Sequence, residues 1–469
     1  MATQNTHYGA EHIRDMLKNK KSIYFIGVGG INMSSLAHLT FSRGYRVGGS
    51  DRAPSAITER LEGEGIQIFY SHDAKNIDTY DAVVYTVAIS PDNPEYVRAT
   101  ELGLPCISRS DYLGYIMTEY PRRIGISGMH GKSTCTSMCA QTLIDANTDP
   151  TVLSGAELSV MGGAYRVGAD ENFVFEACEY MDSFLDFYPT VAVVLNIEMD
   201  HVDYFHSMEQ IRRSYARFTS LTGKEGYAVY NCDDADVLDA LSEYSGNRIS
   251  FGIDSEAADL RAVNISCERG KYSFDVLSGT DVFCHIKLSV TGYHNIYNAL
   301  ACVAVCRICG LSDTQIERGL SRFCGARRRM EYKGQICGAD IYDDYGHHPT
   351  EILATLSGAR GLVGDGGRLF CVYQPHTYSR THALFDDFAS ALSVADRVIT
   401  VDIYAAREVN TFGVSSEGLA KRIGHSAVCG KSLQNSARIL AEELREGDVA
   451  IVMGAGDIFH IYPYLGLNE

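Results

Sequence analysis

The chain has 469 residues, of which 45% are hydrophobic and 21% charged, with a formal net charge of −18. This length predicts more than one domain, and the composition is typical of a globular protein rather than a disordered one. The acidic balance argues against a nucleic-acid partner. The absence of an apolar run near ~20 residues argues against membrane insertion. The polar N-terminus shows no secretory segment, so we expect a cytoplasmic protein.

The first region alternates strand-like and helix-like segments. An apolar strand is predicted over Lys21–Val28 and a helix over Ser34–Phe41, and further strands over Tyr45–Gly49, Ile66–Tyr70, Ala82–Thr86 and Pro105–Ile107. This βαβ alternation predicts a Rossmann-like α/β domain over residues 1–121.

A glycine cluster follows the first predicted strand, but it does not complete the dinucleotide fingerprint. That motif requires a third glycine where this chain has Asn32. Gly29 and Gly30 still allow a backbone to approach a diphosphate closely, and Asp51 lies where an acid often reads a ribose or a base. The cluster could bind NAD, form a purely structural turn or bind another diphosphate-containing ligand. We favour the last interpretation.

A second glycine loop lies between a predicted strand at Arg123–Ser127 and a helical segment from Cys135 to Ile144. Such a loop cradles phosphates with backbone N–H groups, while its lysine reaches the β/γ-phosphates and its hydroxyl binds Mg²⁺. Only two residues separate the glycines, so the pattern also fits a plain structural turn. The candidate ATP-binding residues are Gly128, Met129, His130, Gly131, Lys132, Ser133 and Thr134.

Acidic side chains follow two further predicted strands, Phe173–Glu176 and Val191–Ile197. Because parallel strands end at the same edge of a sheet, Glu179 and His201 are expected near the second glycine loop. Carboxylates suit Mg²⁺ better than imidazole does, so Glu179 is the stronger metal candidate beside Ser133. Taken alone, each would be read as a solvated loop residue.

The rest of the chain continues the α/β pattern. The central region, residues 122–328, adds a β-rich stretch over residues 227–290 and a helix over His294–Cys309, in which Cys302, Cys306 and Cys309 share one apolar face and are expected to pack in the core. A third, Rossmann-like domain is predicted over residues 329–469, with strands at Asp340–Tyr342, Leu369–Tyr373, Val398–Val401 and Val449–Met453 and helices at Pro349–Ala359 and Thr381–Leu392.

The third region carries arginine- and histidine-rich segments at 327–329, 343–350 and 374–380. The arginine run could be a charged surface. The paired histidines beside two aspartates could bind a metal, position a substrate or form a structural loop.

These pieces occur in the order found in one family. The chain resembles the Mur ligases of peptidoglycan synthesis through eleven segments: IGVGGINMSSLA (26–37), GSD (49–51), TVAISPDNPE (86–95), GMHGKST (128–134), EACEYMDSF (176–184), NIEMDH (196–201), GYHNIYNAL (292–300), GARRRMEYKG (325–334), DDYGHHPTE (343–351), QPHTYSRT (374–381) and MGAGDI (453–458). Each segment is modest alone, but eleven in order across three domains are specific.

The resemblance implies that ATP activates the carboxylate of UDP-N-acetylmuramate as an acyl phosphate, which the amine of L-alanine then attacks. It implies ATP and Mg²⁺ as cofactors, these small molecules as the partners, and a monomer or homodimer. A central P-loop-type ATPase domain would lie between the two Rossmann-like domains.

The resemblance also implies roles for individual residues. ATP would contact the second glycine loop and His294, Asn295, Arg328 and Asp344; the UDP-sugar would contact Gly29, Gly30, Asp51, His72 and Ser90. The amino acid would contact Tyr345, His348, His376 and Arg380, and the metals Ser133, Glu179 and His201. The residues expected to act in catalysis are Lys132, Glu179, His201, His348 and His376.

The chain departs from the family pattern in its first glycine loop, where Asn32 and Ser35 replace residues that are often glycine, and at Cys178, which occupies an acidic position. Arg212 and Arg213 lie where some relatives carry a carbamylated lysine, so no such modification is expected. The alternatives are a ligase of the same family that attaches a tripeptide, a nucleotide-sugar sensor without turnover, and an NAD-dependent oxidoreductase.

Overall fold

The computed structural model describes residues 3–201, 204–406 and 408–468. The chain divides into two compact units, one formed by Met1–Phe251 with Ala301–Leu311 and the other by Gly252–Leu300 with Ser312–Glu469. Within the described residues, no helix combines the length and the apolar character needed to cross a membrane.

The first unit begins with a five-stranded parallel sheet in the order β3-β2-β1-β4-β5. Its elements are α1 (Ala10–Met16), β1 (Ser22–Ile26), α2 (Ile31–Ser42), β2 (Arg46–Ser50), α3 (Ala56–Gly63), β3 (Gln67–Phe69), β4 (Ala82–Tyr85), α4 (Pro94–Glu101), β5 (Cys106–Ser108) and α5 (Arg109–Met117). All five residues of β1 are buried, as expected for a parallel strand covered on both faces.

The same unit continues into a second sheet with the order β12-β11-β10-β6-β9-β7-β8, in which β8 alone runs antiparallel to its neighbour. Its elements are β6 (Arg122–Ser127), α6 (Lys132–Asp145), β7 (Thr151–Leu158), β8 (Gly163–Arg166), β9 (Asn172–Glu176), β10 (Val191–Val194), α7 (Met208–Ser220), β11 (Tyr227–Asn231), α8 (Ala235–Ala240) and β12 (Asn247–Gly252). One continuous apolar core contains side chains from both sheets, including Phe25 and Phe175.

The second unit contains an antiparallel meander of β13 (Leu260–Glu268), β14 (Lys271–Ser278) and β15 (Asp281–Thr291). The helix α9 (His294–Ile308) begins in this unit, its residues from Ala301 onward belong to the first unit, and α10 (Asp313–Arg322) lies again in the second. Its main sheet has the order β16-β17-β21-β18-β19-β20, parallel except for the β16/β17 hairpin. The elements of that sheet and its helices are β16 (Glu331–Ile336), β17 (Ala339–Asp344), α11 (Pro349–Ala359), β18 (Leu369–Tyr373), α12 (Tyr378–Ala383), α13 (Phe385–Leu392), β19 (Arg397–Val401), α14 (Ser416–Ile423), β20 (Ala427–Lys431), α15 (Leu433–Glu443) and β21 (Val449–Met453).

The α/β class predicted from the sequence is confirmed, with one difference in the helices. The helix predicted over Thr381–Leu392 is two helices, because Leu384 leaves the helical conformation (φ −115°, ψ 27°) between α12 and α13. The predicted burial of the α9 cysteines is confirmed for Cys302 and Cys306, which are fully buried.

Candidate functional site

The first glycine turn closes onto Asp51. The Gly29 amide donates a hydrogen bond to Asp51 Oδ2 at 2.7 Å, and a Cβ on residue 29 would lie 2.6 Å from that oxygen. Gly27 has a φ of 82°, and Gly30 caps the N-terminus of α2. The space and the backbone conformation therefore explain why glycine is needed where β1 meets α2.

His72 lies beyond β3 and takes part in a buried polar network. Its Nδ1 is 2.8 Å from Glu95 Oε2 and 3.1 Å from Ser50 Oγ. Ser90 is exposed in the loop after β4, where its carbonyl accepts from the Asn93 amide. All the predicted UDP-sugar residues thus follow the carboxyl ends of neighbouring parallel strands, where ligands bind in open α/β sheets.

The second glycine loop joins β6 to α6 and is anchored by one side chain. Gly128 and Gly131 have φ values of 140° and 85°, which favour glycine. The Asn196 side chain accepts from the His130 amide and donates to the His130 carbonyl, each at 2.9 Å. These two hydrogen bonds fix the loop backbone beside the N-terminus of α6. The backbone amides and the helix dipole at that N-terminus favour an anion.

Lys132 is the first residue of α6, and its ammonium is fully engaged. Nζ donates to the carbonyls of Gly128 and Met129 at 2.5 and 3.1 Å and lies 3.1 Å from Glu179 Oε2. Glu179 Oε1 is 3.1 Å from His201 Nε2. The structure thus brings together three of the residues predicted to act in catalysis.

The charges in this cluster stabilise one another. Burial acts to raise the pKa of Glu179, but Lys132 and then His201 outweigh it, and the pKa is lowered. Burial acts to lower the pKa of Lys132, but Glu179 outweighs it, and that pKa is raised. Both side chains therefore remain charged around neutral pH.

Oxygen ligands surround the start of α6. Ser133 Oγ donates to Glu176 Oε2 at 3.1 Å, and the other oxygen of Glu176 accepts from Ser154 Oγ at 3.2 Å. The hydroxyl of Ser133 and the carboxylates of Glu176 and Glu179 are oxygen donors of the kind that a hard divalent cation prefers.

The backbone is strained beside this cluster. His201, Met181 and Asp182 adopt left-handed conformations with φ values of 50°, 55° and 55°. Asp182 is held there by Tyr204, whose hydroxyl donates to Oδ2 at 2.8 Å, and by Ser214. Non-glycine residues in this conformation cost about 1–3 kcal/mol each and cluster at functional sites.

In the second unit, Arg328 and Asp344 lie where β17 and β21 end. Arg328 donates to the Gly454 carbonyl at 2.6 Å and its guanidinium is 5.1 Å from the centre of the Tyr345 ring. Asp344 accepts from the amides of Met330 and Gly346 at 3.0 and 2.8 Å. Burial raises the pKa of Asp344 despite the nearby Arg329.

The predicted amino-acid residues follow β17 and β18 in the same unit. His348 caps α11, and the centres of the His347 and His376 rings are 6.0 Å apart. The His376 ring stacks on Tyr404, and burial, then the Arg380 charge, lowers the pKa of His376. The His376 imidazole is therefore neutral at pH 7.

His294 and Asn295, two of the predicted ATP contacts, begin α9. Asn295 Nδ2 donates to the Thr291 carbonyl at 2.7 Å and its Oδ1 accepts from Asn298 at 2.9 Å. Gly292 has a φ of 103°, so the turn before α9 favours glycine at this position.

Four residues that the sequence did not single out as site residues have clear roles in the structure. Glu95 holds His72, Glu176 holds Ser133, Asn196 holds the second glycine loop and Tyr404 stacks on His376. The first three lie within or beside the motifs of the resemblance. No sequence signal marked Tyr404, whose backbone pairs with that of His376 in an isolated β-bridge outside the named strands.

The chain matches three family descriptions in succession. Residues 22–121 match "Mur ligase family, catalytic domain", residues 126–306 "Mur ligase middle domain" and residues 328–456 "Mur ligase, glutamate ligase domain". The chain therefore belongs to the Mur ligase family, as its motifs predicted.

Individual relatives show which members of the family this chain is similar to. The chain is 43% identical over 446 residues to a UDP-N-acetylmuramate–L-alanine ligase of Clostridium novyi (strain NT), covering 94% of this chain and 96% of that protein. It is similar to the crystal structure of UDP-N-acetylmuramate-alanine ligase MurC from Thermotoga maritima, with a TM-score of 0.80, 27% identity and coverage of 95% and 98%. A murein peptide ligase from Psychrobacter arcticus shares the fold, with a TM-score of 0.70, 24% identity and coverage of 95% and 98%.

Proposed function

We propose that this protein is an ATP-dependent ligase that joins L-alanine to the carboxylate of UDP-N-acetylmuramate. The observation that carries the proposal is the Lys132 ammonium, fixed between loop carbonyls and buried Glu179 at the N-terminus of α6. Extensive similarity to a UDP-N-acetylmuramate–L-alanine ligase supports the choice of substrates.

The reaction needs activation because a carboxylate is a poor electrophile. A carboxylate oxygen of the muramoyl group attacks the γ-phosphorus of ATP, the bond to the β-phosphate oxygen breaks, and ADP leaves. The amine of L-alanine then attacks the acyl carbon, and inorganic phosphate leaves with the former carboxylate oxygen. The amine loses its proton, for which the neutral His376 imidazole is a suitable acceptor.

The second glycine loop, Gly128 to Thr134, binds the ATP phosphates in this proposal. Backbone amides and the α6 N-terminus attract the phosphate charge, and Lys132 exchanges carbonyl partners for phosphoryl oxygens. Preorganised positive charge of this kind acts on the transferring group, where it lowers the barrier most. His294, Asn295, Arg328 and Asp344 complete the ATP contacts.

Ser133 and Glu179, with Glu176 beside them, would hold Mg²⁺, because their hydroxyl and carboxylate oxygens fit a hard cation. Bound there, Mg²⁺ supplies neutralisation of phosphoryl charge. We assign His201 to a second metal.

The two outer domains bind the other substrates. Gly29, Gly30, Asp51, His72 and Ser90 contact the UDP-sugar. Tyr345, His348, His376 and Arg380 hold L-alanine, with the Arg380 guanidinium suited to its carboxylate. We place the domain boundaries at residues 1–121, 122–328 and 329–469.

We propose a cytoplasmic monomer or homodimer without a nucleic-acid partner. The net charge of −18 supports the last point, because phosphate backbones select basic surfaces. Light scattering during size-exclusion chromatography decides the oligomeric state.

Phosphate release from ATP tests the activity. We expect release only when UDP-N-acetylmuramate and L-alanine are both present. Release with the tripeptide but not L-alanine would identify a tripeptide ligase. UDP-sugar binding without turnover would identify a sensor, and NADH oxidation an oxidoreductase.

A further inference from the structure

We propose that Glu95 is a positioning residue that fixes the tautomer of His72. It thereby makes the N-terminal crevice, the region at the carboxyl ends of β1 to β4, selective for uracil over cytosine. The inference rests on the proposed function, because it takes the UDP-sugar as the occupant of this crevice. It concerns recognition of the base, which the phosphate chemistry at Lys132 does not determine.

The Glu95 carboxylate is fully buried, and four polar side chains lie within hydrogen-bond distance of its two oxygens. Oε1 accepts from Tyr24 Oη at 2.7 Å and Asn76 Nδ2 at 2.8 Å. Oε2 accepts from Ser50 Oγ at 2.6 Å and faces His72 Nδ1 at 2.8 Å. Two carboxylate oxygens offer about four lone-pair sites, which matches the number of these neighbours.

The other members of the network are donors by chemistry. Asn76 points an amide N–H₂ group at Oε1, and that group can only donate. Burial, then the Glu95 charge, raises the pKa of Tyr24, so its hydroxyl keeps its proton. These donors hold Glu95 in place. What they do not determine is which ring nitrogen of His72 carries the proton.

Glu95 determines which nitrogen of His72 is protonated. A carboxylate oxygen 2.8 Å from Nδ1 can only accept, so Nδ1 carries the hydrogen. The neutral His72 ring then has an unprotonated Nε2, which points away from Glu95. The His72 side chain is 21% exposed, so a ligand can reach the ring.

The order of the strands brings a nucleotide base to this residue. In doubly wound folds the diphosphate lies at the turn after the first strand, and an acid after the next strand reads the ribose. Here the glycine turn follows β1 and Asp51 follows β2, and β3 lies next in the sheet. A nucleotide extended in this direction places its base beside His72, which follows β3.

The two pyrimidines differ at the atom that would meet Nε2. Uracil has an N3–H donor, which an unprotonated Nε2 accepts, whereas cytosine has a lone pair at N3. To bind cytosine, His72 would have to move its proton to Nε2, which would leave Nδ1 and Glu95 Oε2 as two acceptors 2.8 Å apart. An unsatisfied buried acceptor is costly, so cytosine is disfavoured.

The wild-type enzyme gives the first test. UDP, CDP and N3-methyl-UDP compete with UDP-N-acetylmuramate in the phosphate-release assay at alkaline pH, about 8.5. We expect CDP and N3-methyl-UDP to bind about tenfold or more weakly than UDP. Equal inhibition by the three nucleotides would overturn the proposal without any variant.

Glu95→Gln gives the second test. The glutamine oxygen can keep Tyr24 and Asn76, while its N–H₂ group replaces Oε2 and donates to His72 Nδ1 and Ser50. The proton of His72 then moves to Nε2. We expect the UDP-over-CDP preference to fall about tenfold or more, and KM for UDP-N-acetylmuramate to rise far more than kcat falls.

Two measurements separate positioning from a merely structural role. ¹⁵N NMR, with the His72 signals assigned by their loss in His72→Ala, should show Nδ1–H in the wild type and Nε2–H in Glu95→Gln. The matched control Tyr24→Phe removes a donor from the other oxygen of Glu95, and we expect it to keep the wild-type nucleotide preference. An unchanged tautomer or preference in Glu95→Gln would refute the proposal, while turnover by the wild type tests the proposed function separately.

Discussion

Replacing Lys132 by methionine tests the charge cluster at the start of α6 most fully. The substitution keeps an unbranched side chain one atom shorter than lysine but removes the donor to Gly128, Met129 and Glu179. Glu179 is 1% exposed and Lys132 16%, so the loss leaves a buried carboxylate without its ammonium partner and still 3.1 Å from His201 Nε2. Breaking such a pair costs about 3 kcal/mol, which lowers the melting temperature of the first unit by about 6–12 °C.

Calorimetry and the phosphate-release assay measure the two consequences independently. We expect Lys132→Met to reduce kcat/KM for ligation about 10³-fold, since one preorganised group aimed at the reacting charge has an effect of this size. UDP binding should stay nearly intact, because its crevice lies on the other sheet. Lys132→Met/Glu179→Gln should regain the stability but not the activity; a double variant as unstable as Lys132→Met would refute the pairing.

Three further predictions concern other contacts. Asn196→Ala removes two hydrogen bonds to His130 and should raise KM for ATP about tenfold, with an unchanged value in steady-state kinetics contradicting the loop anchor. Ser133→Thr should keep ligation, whereas Ser133→Ala should raise the Mg²⁺ concentration for half-maximal rate about tenfold in a metal titration. Burial raises the pKa of Asp343 to about 6 from an unfolded value near 3.9, so its stabilising contribution is present below about pH 4 and lost as pH rises through about 6. Between pH 4 and 7.5 the wild type should lose about 2–3 kcal/mol of unfolding free energy relative to Asp343→Asn, as measured by chemical denaturation at each pH. The same dependence of the unfolding free energy on pH in both proteins would count against this.

The sequence predicted the buried elements best. The limits of α11, β18 and β21 agree with the predictions to the residue, because a proline at the first helical position and short apolar runs mark them clearly. The break at Leu384 was not predictable, because the apolar spacing continues across it. The strand β20 was missed because its residues are mostly half-buried and include Gly430, so its apolar signal is weak.

In the site, the sequence predicted which residues meet but not how they pair. Strand ends predicted that Lys132, Glu179 and His201 converge, since parallel strands finish at one edge. The contact of Ser133 with Glu176 depends on side-chain directions that spacing does not reveal. Glu95 was missed for the same reason, because its partners lie 19 to 71 positions away along the chain.

The most direct measurement of the central claim follows a labelled oxygen. UDP-N-acetylmuramate carrying ¹⁸O in its muramoyl carboxylate is incubated with ATP and L-alanine, and the released phosphate is analysed by mass spectrometry. An acyl phosphate requires that one ¹⁸O atom pass from the carboxylate to each phosphate formed. Phosphate free of ¹⁸O, released alongside the amide product, would contradict the proposed mechanism.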